Sequence, residues 1–235
     1  MKKRIWELDA LRGLLLLLMV LVHLYYDLAE LFAFAGFSLT EPFRRLMAWG
    51  GVSFVLLSGC CASLGSHPLR RGMQVLACGL LVSAVTAGLA LVSHNGAMAV
   101  RFGVLHCLGC CMILWVFLRK MPSFVLIFTS VWLILAGLWL RQRSFSFSWL
   151  LPLGFMPRNF VTVDYFPLLP HLGFFLLGAV VGKRLCRRGN GLLPEAFGNR
   201  KFFRFLGFCG RHSLLIYLLH QPVITGLLWS ISLLA

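Results

Sequence analysis

The chain has 235 residues, of which 60% are hydrophobic and only 12% charged, and its mean hydropathy is +0.88. Soluble domains carry roughly 25% charged residues, so the composition excludes an ordinary water-soluble protein. The net charge of +15 is not a nucleic-acid footprint. Its Lys and Arg residues sit in short clusters between apolar runs, as membrane topology requires.

A bilayer core takes about 20 apolar residues per helix. By that criterion the sequence predicts an all-α polytopic bundle of about seven transmembrane helices, near 8–29, 46–65, 72–92, 99–118, 121–140, 165–186 and 205–234. The first run follows Met1-Lys2-Lys3-Arg4. Glu7, Asp9 and Arg12 interrupt its start, and no small-residue cleavage site follows, so it reads as a retained helix rather than a signal peptide. The run 99–140 is too long for one span and divides at Arg119-Lys120-Met121-Pro122. Basic residues set the orientation. Lys2, Lys3, Arg4, Arg70, Arg71, Arg119, Lys120, Lys183, Arg184, Arg187, Arg188, Arg200, Lys201 and Arg204 fall in one set of connections. Only Arg44, Arg45, Arg141, Arg143 and Arg158 fall in the other, which predicts an N-terminus inside and a C-terminus outside. The two sizeable loops are an outer one at 141–164 and an inner one at 187–204. Without a repeat, low-complexity segment or linker, residues 1–235 read as a single transmembrane domain.

Cys60, Cys61, Cys78, Cys107, Cys110, Cys111 and Cys209 fall within predicted helices and Cys186 near the inner boundary, where cysteine serves as a small apolar residue. Cys107-x-x-Cys110 beside His106 lacks the second ligand pair of a metal site, and no metal is expected. Gly50-Gly51, Ser58-Gly59, Gly173, Gly178 and Gly182 are small residues that let helices approach closely. The 21 Phe residues face lipid or pack between helices.

Ionisable side chains at bilayer depth are expensive and mark functional sites. In the first helix Arg12 and His23 share a face about 16 Å apart, and Asp27 follows His23 by one turn. A carboxylate beside an imidazole raises its basicity and fixes its tautomer. That makes His23 a general base with Asp27 as its orienter; the alternative is a structural pair that satisfies itself between helices. The fourth predicted helix carries Arg101 and His106 near its outer end. Asp164-Tyr165-Phe166-Pro167 leads into the sixth, with His171 one turn in. The last carries Arg211 and His212, then Ser213, Tyr217 and His220 on one face. A lone transmembrane His is more often a helix-bridging hydrogen bonder than a catalyst, but His23, Asp27, His106, Asp164 and His171 all map to the outer half, with His220 positioned to join them. That coincidence of depth predicts a polar cavity. Arg12, Arg211 and the basic 183–204 segment lie on the inner side. They suit an anionic ligand, although positive-inside bias alone accounts for much of the loop's charge.

Glu7-Leu8-Asp9-Ala10-Leu11-Arg12-Gly13, followed by an apolar run to His23, resembles the opening helix of integral membrane acyltransferases, in which a basic residue, ten intervening residues and a His recur. The continuation through Tyr26-Asp27-Leu28 resembles the bacterial branch related to the heparan-α-glucosaminide N-acetyltransferase catalytic domain. Three further segments fit that branch: Arg101 to Gly109, Asp164 to Gly173 and Gly210 to Pro222. The resemblance implies transfer of an acyl group, such as acetyl, from cytoplasmic acyl-CoA to a sugar hydroxyl or amine across a bacterial inner membrane. It implies His23 as base or acyl-carrying nucleophile, Asp27 as its orienter and Arg12 on the donor side. Arg101, His106, Asp164, His171, Arg211, Ser213, Tyr217 and His220 complete the expected donor and substrate contacts. Acetyl-CoA is then a cosubstrate and no cofactor is held permanently. The expected partners are the bilayer, acyl-CoA and an extracytoplasmic glycan, with room for a homodimer and without nucleic acid. The animal lysosomal enzyme of the family has Asn where His23 stands, and Phe34 occupies the region of its catalytic His. Rival readings are a transporter or flippase, a non-catalytic subunit, and a haem protein ligated by a pair such as His23 and His106.

Overall fold

The computed structural model describes residues 5–32, 34, 36–188 and 193–234. The basic start at Lys2, Lys3 and Arg4 and part of the 187–204 loop lie outside them. Six helices are long and apolar enough to cross a bilayer: α1 (Trp6–Tyr26, continued by a π-helical turn, Asp27–Leu31), α2 (Glu41–Leu64), α3 (Pro68–Val92), α5 (Ser123–Leu140), α6 (Leu168–Arg188) and α9 (Ser213–Ser232). Between α3 and α5 lies the shorter apolar helix α4 (Val104–Leu118), and α7 (Glu195–Gly198) and α8 (Lys201–Arg211) precede α9. The chain is a multi-pass helical membrane protein, and there are no strands among the described residues, only isolated bridges.

Local chemistry explains the boundaries. Glu7 and Asp9 place negative charge in the first turn of α1, opposite the positive end of the helix dipole. Pro68 opens α3, where its missing N–H would be unpaired anyway. The sequence division at Arg119 to Pro122 is the turn between α4 and α5. Three boundaries differ from the sequence reading. Arg44 and Arg45 lie in the first turns of α2 rather than in a loop, because α2 starts at Glu41. Arg101 precedes α4 instead of riding on it. The run 205–234 is two helices, broken at His212, whose φ of −98° and ψ of 20° leave the helical region.

The chain divides into two compact units, one of Met1–Phe54 with Gly189–Ala235 and one of Val55–Arg188. In the first, α1 runs parallel to α8 and α9. Trp6 meets Phe203 edge to face at 5.4 Å, Gly13 lies against Gly210, and His23 meets His220. One sequence offset separates the members of all three pairs. The approach at the middle pair is so close that a Cβ on Gly13 would run into the Leu206 carbonyl and one on Gly210 into that of Asp9.

In the second unit α3 and α4 are antiparallel: Gly72 packs on Ile113 and Met112, and Gly79 on His106. The helices α5 and α6 are also antiparallel, with Gly137 on Pro170 and Gly173 on Ser130. The second half of α2 runs along α6, where Gly59, Gly178 and Gly182 bring the backbones together. These are the close approaches the small residues predict, whereas Gly50 meets nothing within 4 Å. Phe175, Leu176 and Leu126 are fully buried between these helices, while Phe124 and Phe128 are 74% and 72% exposed, a surface suited to lipid.

Candidate active site

The first unit carries a polar cluster where the C-terminal end of α1 meets α9. His23 and His220 pack edge to face, ring centroids 5.0 Å apart and planes at 84°. The Nδ1–H of His23 donates to the Met19 carbonyl at 2.9 Å. The Nδ1–H of His220 donates likewise to the Tyr217 carbonyl. A carbonyl only accepts, so these bonds place the proton on Nδ1 and leave Nε2 of each neutral ring as an acceptor. His23 therefore owes its tautomer to its own helix. Asp27, the expected orienter, begins the π-helical turn, is only 2% exposed, and accepts a hydrogen bond from the Gln221 side chain while lying within electrostatic reach of His23. A π turn widens the helix and is frequent at functional sites.

The cluster leaves polar atoms unpaired. Asp27 Oδ2, His220 Nε2 and Gln221 Oε1 are buried without a hydrogen-bond partner among the described residues. Buried polar groups are paired in the great majority of cases, so three unpaired atoms in one cluster make it the candidate site. The Tyr217 ring lies 5.3 Å from that of His220, tilted at 50°, and Ser213 starts α9 half-buried. The spacing of Ser213, Tyr217 and His220 marked one helix face; Gln221 was missed because a neutral amide carries no charge signal in sequence.

At the N-terminal end of α1, beside α8, a cavity of about 540 Å³ is lined by Trp6, Asp9, Lys201, Arg204, Phe208 and Arg211, among others. Arg12 pairs with Asp9 at 3.9 Å. Arg12 and Arg211 thus share one region with Lys201 and Arg204, two cations of the basic 183–204 segment that the sequence groups with them.

The second unit holds the remaining candidates. Asp164 Oδ2 accepts from the Val104 N–H at 3.1 Å and so caps α4. Nδ1 of His106 accepts from the Gly103 N–H at 3.3 Å, which leaves Nε2–H to donate to the Ser83 hydroxyl at 3.3 Å, and that hydroxyl donates to the Val100 carbonyl at 2.6 Å. Both ring nitrogens of His106 are therefore used within the fold, leaving none free to ligate a haem. His171 is buried and its Nδ1–H donates to the Pro167 carbonyl at 2.7 Å. Arg101 is exposed. Tyr165 donates to the Leu151 carbonyl at 2.8 Å; burial pushes its phenol up to about 12, so it stays a donor and ties the outer loop down.

A family model described as "Heparan-alpha-glucosaminide N-acetyltransferase, catalytic" matches residues 4–222. No curated protein and no solved structure matches the chain.

Proposed function

The chain belongs to the family of the heparan-alpha-glucosaminide N-acetyltransferase catalytic domain, and from that premise we propose that it is an inner-membrane acyltransferase that moves an acetyl group from cytoplasmic acetyl-CoA to a sugar hydroxyl or amine on the far side. The observation that carries the chemistry is the Met19 carbonyl on His23 Nδ1. It selects the Nδ1–H tautomer of the neutral ring and orients Nε2 as the acceptor, which is what a general base or an acyl-accepting nucleophile requires.

In the direct route, His23 Nε2 takes the proton of the acceptor O–H or N–H as that oxygen or nitrogen attacks the thioester carbonyl. The C–S bond breaks, and the departing CoA thiolate takes the proton from the imidazolium. In the covalent route, Nε2 itself attacks the thioester carbonyl, the C–S bond breaks and CoA leaves as its thiolate; the acceptor then attacks the acyl carbon, the bond from Nε2 to that carbon breaks, and the acceptor's proton passes to the thiolate. Asp27 stabilises positive charge on His23 in either case. The cavity bounded by Lys201, Arg204 and Arg211 supplies the cations that phosphate groups of the donor need. A donor anchored there carries its thioester outward on a long flexible arm.

Incubating purified protein with acetyl-labelled CoA tests this, wild type beside His23→Ala. Label should pass to water, protein or added sugar in the wild type and fall to background in the variant. Wild-type turnover in His23→Ala would remove His23 from the chemistry. Absence of both binding and turnover in either protein would favour a transporter or a non-catalytic subunit.

A further inference from the structure

We propose that Gln221 is a positioning and specificity residue: its amide N–H holds Asp27, and its Oε1, with Asp27 Oδ2 and His220 Nε2, forms a set of acceptors that binds the hydrogen-bond-donating group of the incoming acceptor. The proposal deepens the acyltransferase reading and rests on it.

The argument is one of donors and acceptors. Asp27 and His220 are 2% and 8% exposed, so neither is satisfied by bulk water. Ionised Asp27 only accepts, and its bond with Gln221 must therefore use the amide N–H, which fixes the amide and leaves Oε1 as its other end. His220 has its proton on Nδ1, committed to the Tyr217 carbonyl, so its Nε2 also only accepts. With Asp27 as its carboxylate, the three unpartnered atoms are all acceptors. A ligand that satisfies them must bring donors: a primary ammonium, which carries three, or adjacent hydroxyls. A carbonyl, ester or phosphate would add acceptors to acceptors and is disfavoured, since each unmet buried group costs its full desolvation. The set adjoins His23 through the ring contact with His220, so a group held there has its proton beside the base. Its site also differs from the cationic cavity at α8, which suits the opposite kind of ligand.

Methyl glucoside and methyl glucosaminide serve as matched probes, hydroxyl against amine, with the full chain in detergent. Acetyl transfer from acetyl-CoA and direct probe binding by calorimetry are both measured for wild type, Gln221→Met and Gln221→Asn, each checked for monodispersity. In Gln221→Met the KM for the acetylated sugar should rise about tenfold, the worth of a lost hydrogen bond at a buried site. The KM for acetyl-CoA should stay within about twofold, and direct sugar binding should weaken in step. Gln221→Asn, shorter but able to donate and accept, should fall between. The probe that binds identifies the donor group as amine or hydroxyl. Equal rises in both KM values, or a kcat loss with sugar binding intact, would overturn the proposal. If the wild type transfers nothing, the acyltransferase reading fails separately. Calorimetry then decides: sugar binding weakened by Gln221→Met supports the acceptor set, and no binding to wild type overturns it.

Discussion

His106 and His23 look alike in sequence, each an imidazole among apolar residues, yet their hydrogen bonds give them different work. His106 accepts a hydrogen bond from the Gly103 N–H and donates one to the Ser83 hydroxyl, and its ring lies under Gly79 of α3. It closes the start of α4 and has no nitrogen to spare. His106→Ala should therefore cost stability more than chemistry, on the order of 1–3 kcal/mol for the buried N–H left unpaired. Thermal unfolding in detergent should show a lowered midpoint, with kcat of the surviving folded protein near wild type. A wild-type midpoint with a collapsed kcat would place His106 in the reaction instead. The sequence marked both histidines as candidates because charge at bilayer depth is visible in one dimension. It was blind to which nitrogen each ring commits, since Ser83 and Gly103 are recognisable as partners only once α3 has been laid against α4. Gln221 escaped notice for the complementary reason: its significance comes from the register of α9 against α1, which brings it to Asp27.

The register is set by glycine. Where α1 meets α8, Gly13 and Gly210 each occupy a place where a single added methyl would enter the opposing backbone. Helices that close gain packing and lose nothing to lipid. On α9, by contrast, Gly226 meets nothing within 4 Å. The same substitution should then have opposite signs at the two positions. Gly210→Ala should destabilise by about 1–3 kcal/mol through overpacking and, by shifting α8 and α9 together, reduce acyl transfer. Gly226→Ala should be neutral or stabilise by up to about 1 kcal/mol through helix propensity. Unfolding midpoints of the two variants, side by side, check the pair. A neutral Gly210→Ala would mean that the close approach of α1 and α8 does not hold the outer cluster in place. Helix existence was plain in the hydropathy pattern, and most of the small residues of α2 and α6 were read correctly as contacts. Gly50 was not a contact, and Gly13 and Gly210 went unmarked, because glycine content identifies which residues permit a close approach but not which face meets a neighbour. The break at His212 follows Gly210 by two residues, a local signal that the length of the apolar run outweighed.

Across the whole molecule the open structural matter is α4. Its 15 residues span about 22 Å, short of the roughly 30 Å hydrocarbon core. The directions of the other helices argue that it crosses nonetheless. Within the first unit α1 and α9 run parallel, and within the second α2 and α6 do so as well. Each relation requires an odd number of crossings between its two helices, and only a spanning α4 provides one. Its anchoring fits: Lys183 near the end of α6 donates to the Met121 carbonyl at 2.9 Å and lies over the Trp115 ring at 5.3 Å, a basic contact at the expected cytoplasmic end. The bilayer can thin locally around a short span at modest cost. Reporter fusions at His94, Lys120 and Trp149 should therefore read outside, inside and outside in turn. If His94 and Lys120 reported the same side, α4 would be a re-entrant segment. The parallel pairing of α1 with α9 would then be impossible in a membrane, and the meeting of His23 with His220, on which the proposed acceptor set depends, would fall with it.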